Sequence, residues 1–318
     1  MQSDVIDMLG LLTLDWPLLA RWQSVPRNFG ASDFRKLRGS GIDVFHPAVA
    51  FDGADTYALT RSWFDKWNGF IAAHPDYFIR VLDADDLARA RSQKKIGIIL
   101  GMQDANHIRS VEDVDCFHAV GQRLTQLTYN SVNRLGSGCM AACDRGLTGF
   151  GADVIARMNA AGMAVDISHC GERTSLDAIE ASKKPVLITH SNCRALANTA
   201  RCKSDDVIAA AARKGGVIGL TGVRHFVHAG DPVTIENALD HFDRAVSIGG
   251  IDHVGVGSDV DLDGRDRGGP LRYDIPGLDR ANRIFALTDG LIRRGYTDDH
   301  IALILGGNFR RALKEIWS

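Results

Sequence analysis

The sequence predicts an α/β protein built as a (β/α)8 barrel. Eight short apolar runs alternate with longer segments of helical period, and this alternation is typical of parallel strands covered on both faces. The 318 residues accommodate one barrel of ~250 residues with extensions. A doubly wound open sheet is the alternative fold. The chain has no G-x-G-x-x-G motif after its first run and no G-x-x-x-x-G-K-[ST] motif, which disfavours the nucleotide-binding forms of that sheet.

Each apolar run is interpreted as one strand of the barrel. The runs are short, mostly rich in β-branched residues, and continuous rather than alternating, as expected for strands buried on both faces. In chain order they cover residues 11–15, 42–50, 96–101, 124–129, 164–169, 186–190, 216–221 and 254–259.

The segments between the runs carry helical signals. Gly162 follows one segment in the position of a C-cap, and Ser204 precedes Asp205 and Asp206 in the pattern of a helix start. The predicted helices cover residues 117–124, 151–161, 174–182, 204–213 and 235–248.

We expect a single barrel domain over residues 1–318, because no Pro/Ser-rich linker divides the chain and no repeat of fixed period is present. The aromatic-rich stretch 51–92 is long for one connection and is predicted to add helices on the barrel flank. Residues 262–276 are predicted to form a loop after the eighth strand. Helices over 289–318 are predicted to close the chain.

Composition excludes several classes of protein. Lys and Arg number 37 against 39 Asp and Glu, so the chain lacks the basic surface that nucleic-acid binding requires. No run approaches the ~20 apolar residues that span a bilayer. Asp4 and Asp7 precede the first apolar stretch, which therefore lacks the positive start of a signal peptide, and we expect a cytoplasmic protein. The six cysteines show no C-x-x-C spacing and are expected to be free thiols.

Polar residues that can bind ligands follow six of the eight predicted strands. In a barrel of this kind the carboxyl ends of the strands carry the site. A single polar residue there commonly only caps its strand, but the joint pattern predicts a site at one mouth of the barrel. The residues are Asp15, Gln103 with Asp104, Tyr129 with Asn130, His169, His190, and Asp259 with Asp261.

His169 and His190 end consecutive predicted strands, so their imidazoles can converge on one metal ion. Their other ring nitrogens are expected to bond a carboxylate or a backbone carbonyl. A zinc ion needs a third protein ligand, and the pattern leaves three roles open for Asp259: metal ligand, general base or a hydrogen bond at the rim. The other histidines, His225 among them, show no paired spacing and are interpreted as surface or packing residues.

Four segments of the chain carry a family resemblance. They are AVDISHCGERTSLDAIEASKKPVLITHSNCRALANTAR from Ala164, LTYNSVNRLGSG from Leu127, HVGVGSDVD from His253 and GGNFRRAL from Gly306. Together they resemble the membrane (renal) dipeptidase family of zinc peptidases. The resemblance spans roughly residues 11–313 and implies a barrel of the amidohydrolase type that hydrolyses a dipeptide at a two-zinc site.

The resemblance assigns a role to most of the strand-end residues. His169 and His190 match the two histidines that bind one zinc ion, and Asp259 matches a ligand of the other metal that also moves protons. Arg201 matches the arginine that binds the substrate's carboxylate. We expect Arg201 in a loop above the mouth, pointing into the pocket beside Tyr129, with a surface pair to Asp205 or Asp206 as the alternative. Tyr129 replaces a substrate-contacting histidine but can still donate a hydrogen bond to a carbonyl, and Asn130 is expected to contact the substrate beside it.

Two departures from the family pattern concern its metal ligands. The family's first strand ends in D-G-H-x-D, whose His and second Asp bind metal. With the first Asp at Asp15, Pro17 and Leu19 replace these ligands; shifted by four residues, Asp15 becomes the second Asp and Thr13 replaces the His. Gln103 stands where the family has a bridging glutamate, and a neutral amide bridges two cations poorly. Asp104 could substitute for it only by a small shift.

These replacements predict a degenerate metal site. Two zinc ions bring four positive charges, whereas Asp259 is the one secure carboxylate of the family's three. We expect at most one zinc ion, held by His169 and His190 with Gln103 or Asp259, and an empty site is an equal alternative. Nothing is expected to bind metal beside Pro17 and Leu19.

The function predicted from these observations is a dipeptidase-like metallohydrolase that cleaves a dipeptide or related small amide with a free carboxylate. One alternative is a catalytically inactive barrel that binds a small carboxylate ligand or a partner. Another is a hydrolase or lyase that uses one metal on a different substrate. Family members commonly dimerise, so the resemblance implies a homodimer.

Overall fold

The structure is a computed structural model that describes residues 4–262, 275–279 and 281–318. The predicted loop 262–276 lies mostly outside the described residues. Short strands that run through buried, apolar sequence form the centre of the molecule. The strands are β1 (Ile6–Asp7), β2 (Gly10–Leu11), β3 (Val44–Phe45), β4 (Phe78–Arg80), β5 (Ile96–Ile98), β6 (Gly101–Met102), β7 (Leu124–Gln126), β8 (Ala164–Asp166), β9 (Val186–Ser191), β10 (Ile218–Leu220), β11 (Val254–Val256) and β12 (Val260–Asp261).

Helices lie between successive strands and cover the sheet. Several begin at side-chain caps: Ser204 accepts a hydrogen bond from the amide of Val207, and Thr148 accepts one from Gly151. The helices are α1 (Trp16–Ser24), α2 (Ala31–Gly39), α3 (Thr56–Ala73), α4 (Ala84–Ser92), α5 (Asp113–Ala119), α6 (Gly149–Ala161), α7 (Glu172–Ala181), α8 (Asp205–Arg213), α9 (Arg224–Val227), α10 (Ile235–Gly249), α11 (Arg283–Arg293), α12 (Asp298–Ala302) and α13 (Asn308–Trp317).

The parallel sheet closes on itself, which confirms the predicted barrel. Its strand order is β4-β5-β3-β1-β11-β10-β9-β8-β7-β6. β6, at one end of this order, lies two residues after β5 in the chain, and β5 pairs with β3 and β4 near the other end, so the order closes through the β5–β6 segment. A separate parallel pair, β2 with β12, continues β1 and β11 beyond the sheet.

Seven of the eight apolar runs contain a strand of the barrel, but the first run is misplaced. The first strand is β1, continued by β2, and residues 12–15 follow it. Asp7 is fully buried in this strand because Arg283 and Ser258 bond its carboxylate. The helix predicted over 117–124 is also displaced, since α5 ends at Ala119 and Leu124 begins β7.

The stretch 51–92 folds as α3, β4 and α4, so it adds a strand as well as the expected helices. Gly162 has a φ of +70°, the left-handed conformation expected of a C-cap glycine after α6. All six cysteines are free thiols. Among the described residues, no helix is long and apolar enough to cross a membrane.

Gly257 brings the eighth strand of the barrel close to the sixth. A Cβ atom added at this residue would overlap the carbonyl oxygen of Thr189. Glycine therefore allows the chain leading to Asp259 to lie against the strand that carries His190.

Candidate active site

A small pocket lies at the carboxyl ends of the barrel strands, and six of the seven predicted site residues line it. Its volume of about 150 Å³ is below the ~300–1,000 Å³ of pockets that take drug-sized molecules, so it suits a small ligand. The lining residues are Gln103, Tyr129, Asn130, Met140, His169, Arg201, Val223, His225, Phe226 and Asp259.

The seventh predicted residue, His190, contacts this pocket through His169. The Nε2 atoms of the two histidines lie 3.1 Å apart. His169 follows β8 and His190 lies in β9, so both are at the same end of the sheet, as predicted. Both side chains are buried.

Hydrogen bonds assign the tautomers of the two imidazoles. Thr189 Oγ1 donates to Asp166 at 2.6 Å and therefore accepts from His190 Nδ1 at 2.9 Å. Asn130 Oδ1 accepts from His169 Nδ1 at 2.9 Å. With both Nδ1 atoms protonated, the two Nε2 atoms face each other at hydrogen-bonding distance, an arrangement that a shared proton or metal ion stabilises. The Nδ1 partners are a hydroxyl and an amide, not the carboxylate or backbone carbonyl that we expected.

Asp166 anchors this arrangement from inside the barrel. Its carboxylate also accepts from the Ser168 hydroxyl at 2.6 Å and from the amides of Ser168 and Thr189. Burial raises the pKa of Asp166 above its ordinary value, while these hydrogen bonds act in the opposite direction. The network holds the strand ends of β8 and β9 in one geometry.

Tyr129 and Asn130 form the wall beside His169. The Tyr129 ring stacks on the His169 ring, with centroids 4.2 Å apart and planes inclined by 25°. Asn130 Oδ1 accepts from the thiol of Cys139 at 3.6 Å in addition to His169. Two donors at one oxygen fix the orientation of the Asn130 amide, so the imidazole cannot turn without breaking this contact.

Arg201 lies in the connection between β9 and α8 and lines the pocket with Tyr129, as expected, but it is buried there, with 2% of its surface exposed. Its Nη1 donates to the carbonyl of Ser168 and its Nη2 to the carbonyl of His190, both at 2.6 Å. Its Nε has no hydrogen-bond partner among the described residues. Burial lowers the pKa of Arg201 below its ordinary value. The alternative pairing is not observed for Asp205, which pairs with Arg244 instead.

Asp259 adopts a backbone conformation that is rare for this residue type. Its φ is +57°, in the left-handed region, and its amide donates to the carbonyl of Leu9 at 2.7 Å. Its side chain is 7% exposed and lines the pocket. Residues in such conformations occur often at functional sites, where neighbouring structure holds them.

The first-strand side of the mouth differs from the expected arrangement. Asp15 caps α1 by accepting from the amide of Leu18 at 2.9 Å, and it does not line the pocket. Because β1 ends at Asp7, the D-G-H-x-D register begins there, and Leu9 and Leu11 occupy the two ligand positions. The first strand thus ends eight residues before Asp15, on which both predicted registers were built.

Gln103 lines the pocket, and its Nε2 donates to the carbonyl of Ala48 at 3.0 Å. Its Oε1 is the atom that remains for a ligand. Asp104 is directed elsewhere, since its carboxylate accepts from Asn133 and from the amide of Asn106. Burial raises the pKa of Asp104 to about 6.

Four residues of the pocket wall have no counterpart in the sequence interpretation. His225, Phe226 and Val223 follow β10, the seventh strand of the barrel, and Met140 lies in the loop after β7. His225 is exposed and its ring contacts that of Phe226, as expected of a surface or packing residue, and it also lines the pocket. Its position four residues beyond the predicted strand end at Thr221 was the signal available.

The residues present fit only part of a zinc site. A catalytic zinc ion takes three protein ligands, and His169 and His190 supply two nitrogens at a suitable separation. Within residues 4–262, 275–279 and 281–318, no group of three or more His, Cys, Asp and Glu side chains is arranged to hold a metal ion.

Comparisons with known proteins agree with the fold. The model of the membrane dipeptidase family, peptidase family M19, matches residues 18–317. An uncharacterised dipeptidase of Schizosaccharomyces pombe is 32% identical over 275 residues, which cover 84% of this chain but only 63% of the relative.

Two solved structures share the architecture. An amidohydrolase from Pseudomonas aeruginosa superposes with a TM-score of 0.84 and 27% identity, covering 99% of this chain and 97% of that one. A metallopeptidase from Rhodobacter sphaeroides, bound to a phosphinate mimic of the dipeptide L-Ala-D-Ala, superposes with a TM-score of 0.80 and 19% identity over the full length of both chains.

Proposed function

This chain belongs to the membrane dipeptidase family, and from that membership and the pocket we propose that it hydrolyses a small amide with a free carboxylate, such as a dipeptide. The observation that carries the proposal is the presence of a buried arginine and a buried aspartate in one pocket of about 150 Å³. The arginine suits recognition of the carboxylate, and the aspartate suits transfer of protons at the scissile amide.

Arg201 is proposed to bind the substrate's carboxylate. The two hydrogen bonds described for its guanidinium go to backbone carbonyls, which hold the side chain in place without neutralising its charge. Asp259 and Asp166 are close enough to act on this cation electrostatically, and a ligand carboxylate gains a direct charge-assisted hydrogen bond to it.

Asp259 is proposed to move the proton of the reaction. Its carboxylate takes a proton from the attacking water and returns it to the leaving nitrogen. Tyr129 donates a hydrogen bond to the carbonyl oxygen of the scissile amide, on which negative charge develops. Asn130 contacts the substrate beside Tyr129 and keeps His169 in its tautomer.

At most one zinc ion is proposed for this site, on His169 and His190, with Gln103 Oε1 as a further ligand. When bound, such an ion would act as a Lewis acid toward the carbonyl or the water. The facing Nε2 lone pairs support a cation between the two histidines. Leu9 and Leu11 provide no ligand for a second ion.

An inactive barrel that binds a small carboxylate is a second candidate, favoured by one observation. The Nε of Arg201 is buried without a partner in the described part of the chain, so a carboxylate gains a hydrogen bond there whether or not metal is present. A cytoplasmic location and a homodimer remain predictions.

Hydrolysis of Gly-Ala and related dipeptides by protein purified without chelator tests the proposal, with zinc content measured on the same sample. We expect turnover with at most one zinc ion per chain. Asp259→Asn should lower kcat by about 10²–10⁴-fold, the range for a lost general acid–base group, while zinc content stays the same. Binding without turnover would support the inactive barrel, and two zinc ions per chain would contradict the degenerate site.

A further inference from the structure

A second buried arginine lies beside the pocket and has no role in the proposed reaction so far. Arg283 is the first residue of α11 and has 2% of its surface exposed. Its Nη2 donates to Asp7 Oδ2 at 2.9 Å and to Ser258 Oγ at 2.8 Å. The side chains of the Arg283–Asp7 ion pair are 3% and 0% exposed.

The same guanidinium reaches the chain on the other side of Asp259. Its Nη1 donates to the carbonyl of Asp261 at 2.9 Å, and its Nη2 contacts the carbonyl of Val260 at 3.2 Å. Arg283 thus bonds the residue before Asp259 and the two residues after it. No other residue between positions 257 and 262 has the left-handed φ that Asp259 shows.

Asp7 reinforces this arrangement. Its carboxylate accepts from the amide of Ser258 at 2.8 Å and from the Ser258 hydroxyl at 2.6 Å, and that hydroxyl also accepts from the amide of Val260 at 3.3 Å. The ion pair therefore ties the end of the first strand to the turn that carries Asp259. A left-handed aspartate is held only when such surroundings compensate its strain.

We propose that Arg283 is a positioning residue, which holds the turn 258–261 so that the Asp259 carboxylate points into the pocket. This inference rests on the proposed function of Asp259. It does not require a metal ion, because each contact involved is between residues of this chain.

Arginine is suited to this task by its planar fork. Its two Nη groups reach a side chain and two separate backbone carbonyls at once, whereas the single ammonium of lysine cannot span them all. Lysine at this position can keep the charge pair with Asp7 but must release part of the turn. Arg283→Lys therefore separates the charge of the side chain from its geometry.

Arg123→Lys is the matched control. Arg123 is also buried and also donates to backbone carbonyls, those of Leu82, His118 and Gln122. It directly precedes β7, at the opposite end of the barrel from the pocket. Both substitutions remove an arginine fork from carbonyl groups, but only one affects the turn of Asp259.

The experiment compares dipeptide hydrolysis by the two variants after thermal melts show both to be folded. We expect Arg283→Lys to lower kcat by about 10–100-fold, the effect of a small misplacement of a catalytic group, with KM within a few-fold of wild type. Arg123→Lys should keep the wild-type kcat even if its melting temperature falls equally. Equal kcat values in wild type and folded Arg283→Lys would overturn the inference.

Crystal structures of the two variants provide a readout that does not depend on turnover. Asp259 should leave the left-handed region in Arg283→Lys and keep it in Arg123→Lys. If Asp259 keeps its left-handed conformation in Arg283→Lys, the inference fails, and this holds even if the wild type hydrolyses dipeptides. If wild type does not hydrolyse them, the proposed function fails, and the conformation of Asp259 still decides the inference.

Discussion

Arg201 and Arg283 are both buried beside the pocket, but their surroundings differ. Arg283 is paired with the carboxylate of Asp7, whereas the described hydrogen bonds of Arg201 go to the carbonyls of Ser168 and His190. Arg201 lines the pocket and Arg283 does not. The comparison separates two settings of a buried cation: one is paired with a carboxylate, and the other bonds two backbone carbonyls in the pocket wall.

Lys203 extends the comparison on the Arg201 side. It is buried, and its Nζ donates to the carbonyl of Cys170 at 2.6 Å and to Ser175 Oγ at 3.1 Å. Burial lowers the pKa of Lys203 to about 8. On the β8–β9 side of the mouth, the buried cations Arg201 and Lys203 thus bond neutral oxygens. On the first-strand side, the buried cation Arg283 is paired with the carboxylate of Asp7.

The largest effect on stability is expected from breaking the buried Arg283–Asp7 ion pair. Asp7→Asn leaves the Arg283 guanidinium buried beside a neutral amide, and removing one partner of a buried ion pair costs about 3–5 kcal/mol of unfolding free energy. Urea denaturation measures this. Asp43→Asn is the matched control, because the Arg38–Asp43 pair is partly exposed and its loss should cost at most about 1 kcal/mol. Similar losses in the two variants would show that burial of the first pair does not matter.

The next effect concerns Lys203 and depends on pH. Its pKa is about 8 in the folded state and near 10.5 when exposed, so between these values the unfolded chain binds more protons. The unfolding free energy therefore rises with pH across this window, by at most about 3 kcal/mol. Below pH 8 the buried ammonium reduces stability.

Urea unfolding of wild type and Lys203→Met from pH 7 to pH 10 tests this. The stability of wild type relative to Lys203→Met should increase with pH. Lys183→Met replaces an exposed lysine, and the stability difference between wild type and this control variant should not change with pH. A flat difference for Lys203→Met would mean that its pKa is ordinary.

A smaller effect is expected at Arg201, the buried cation that lines the pocket. Arg201→Lys should weaken binding of a carboxylate ligand such as Gly-Ala by about 1–3 kcal/mol, because lysine does not reproduce the planar fork. Calorimetric titration measures the change, and Arg123→Lys serves as the comparison, since Arg123 lies at the opposite end of the barrel from the pocket. Equal affinities in wild type and Arg201→Lys would remove the role of Arg201 as the anchor.

The smallest effect is expected at Asp15, which the sequence placed in the site and the structure places at a helix start. Asp15→Ala removes the cap of α1 and should lower the unfolding free energy by about 1 kcal/mol. Because Asp15 does not line the pocket, kcat and KM for a dipeptide should not change. A large loss of kcat in the folded variant would show that Asp15 takes part in the reaction after all.

Much of the fold could be predicted because its signals are local. Apolar runs mark the strands, Gly162 and Ser204 mark helix ends, and these features depend on neighbouring residues in the chain. The convergence of Gln103, Tyr129, His169 and Asp259 also followed from sequence, because parallel strands of a barrel bring their carboxyl ends to one mouth.

Only the tertiary structure decided the position of the first strand and the environment of the site's charges. A buried aspartate is compatible with a strand when a distant cation neutralises it, and the cation for Asp7 lies 276 residues away in α11. The burial of Arg201 and the place of His225 in the pocket wall likewise depend on how separate connections pack over the mouth. The sequence by itself determined the barrel and the family, because periodicity and motifs depend on residues that are near one another in the chain. Burial and charge pairing depend instead on which distant residues come together in the folded protein.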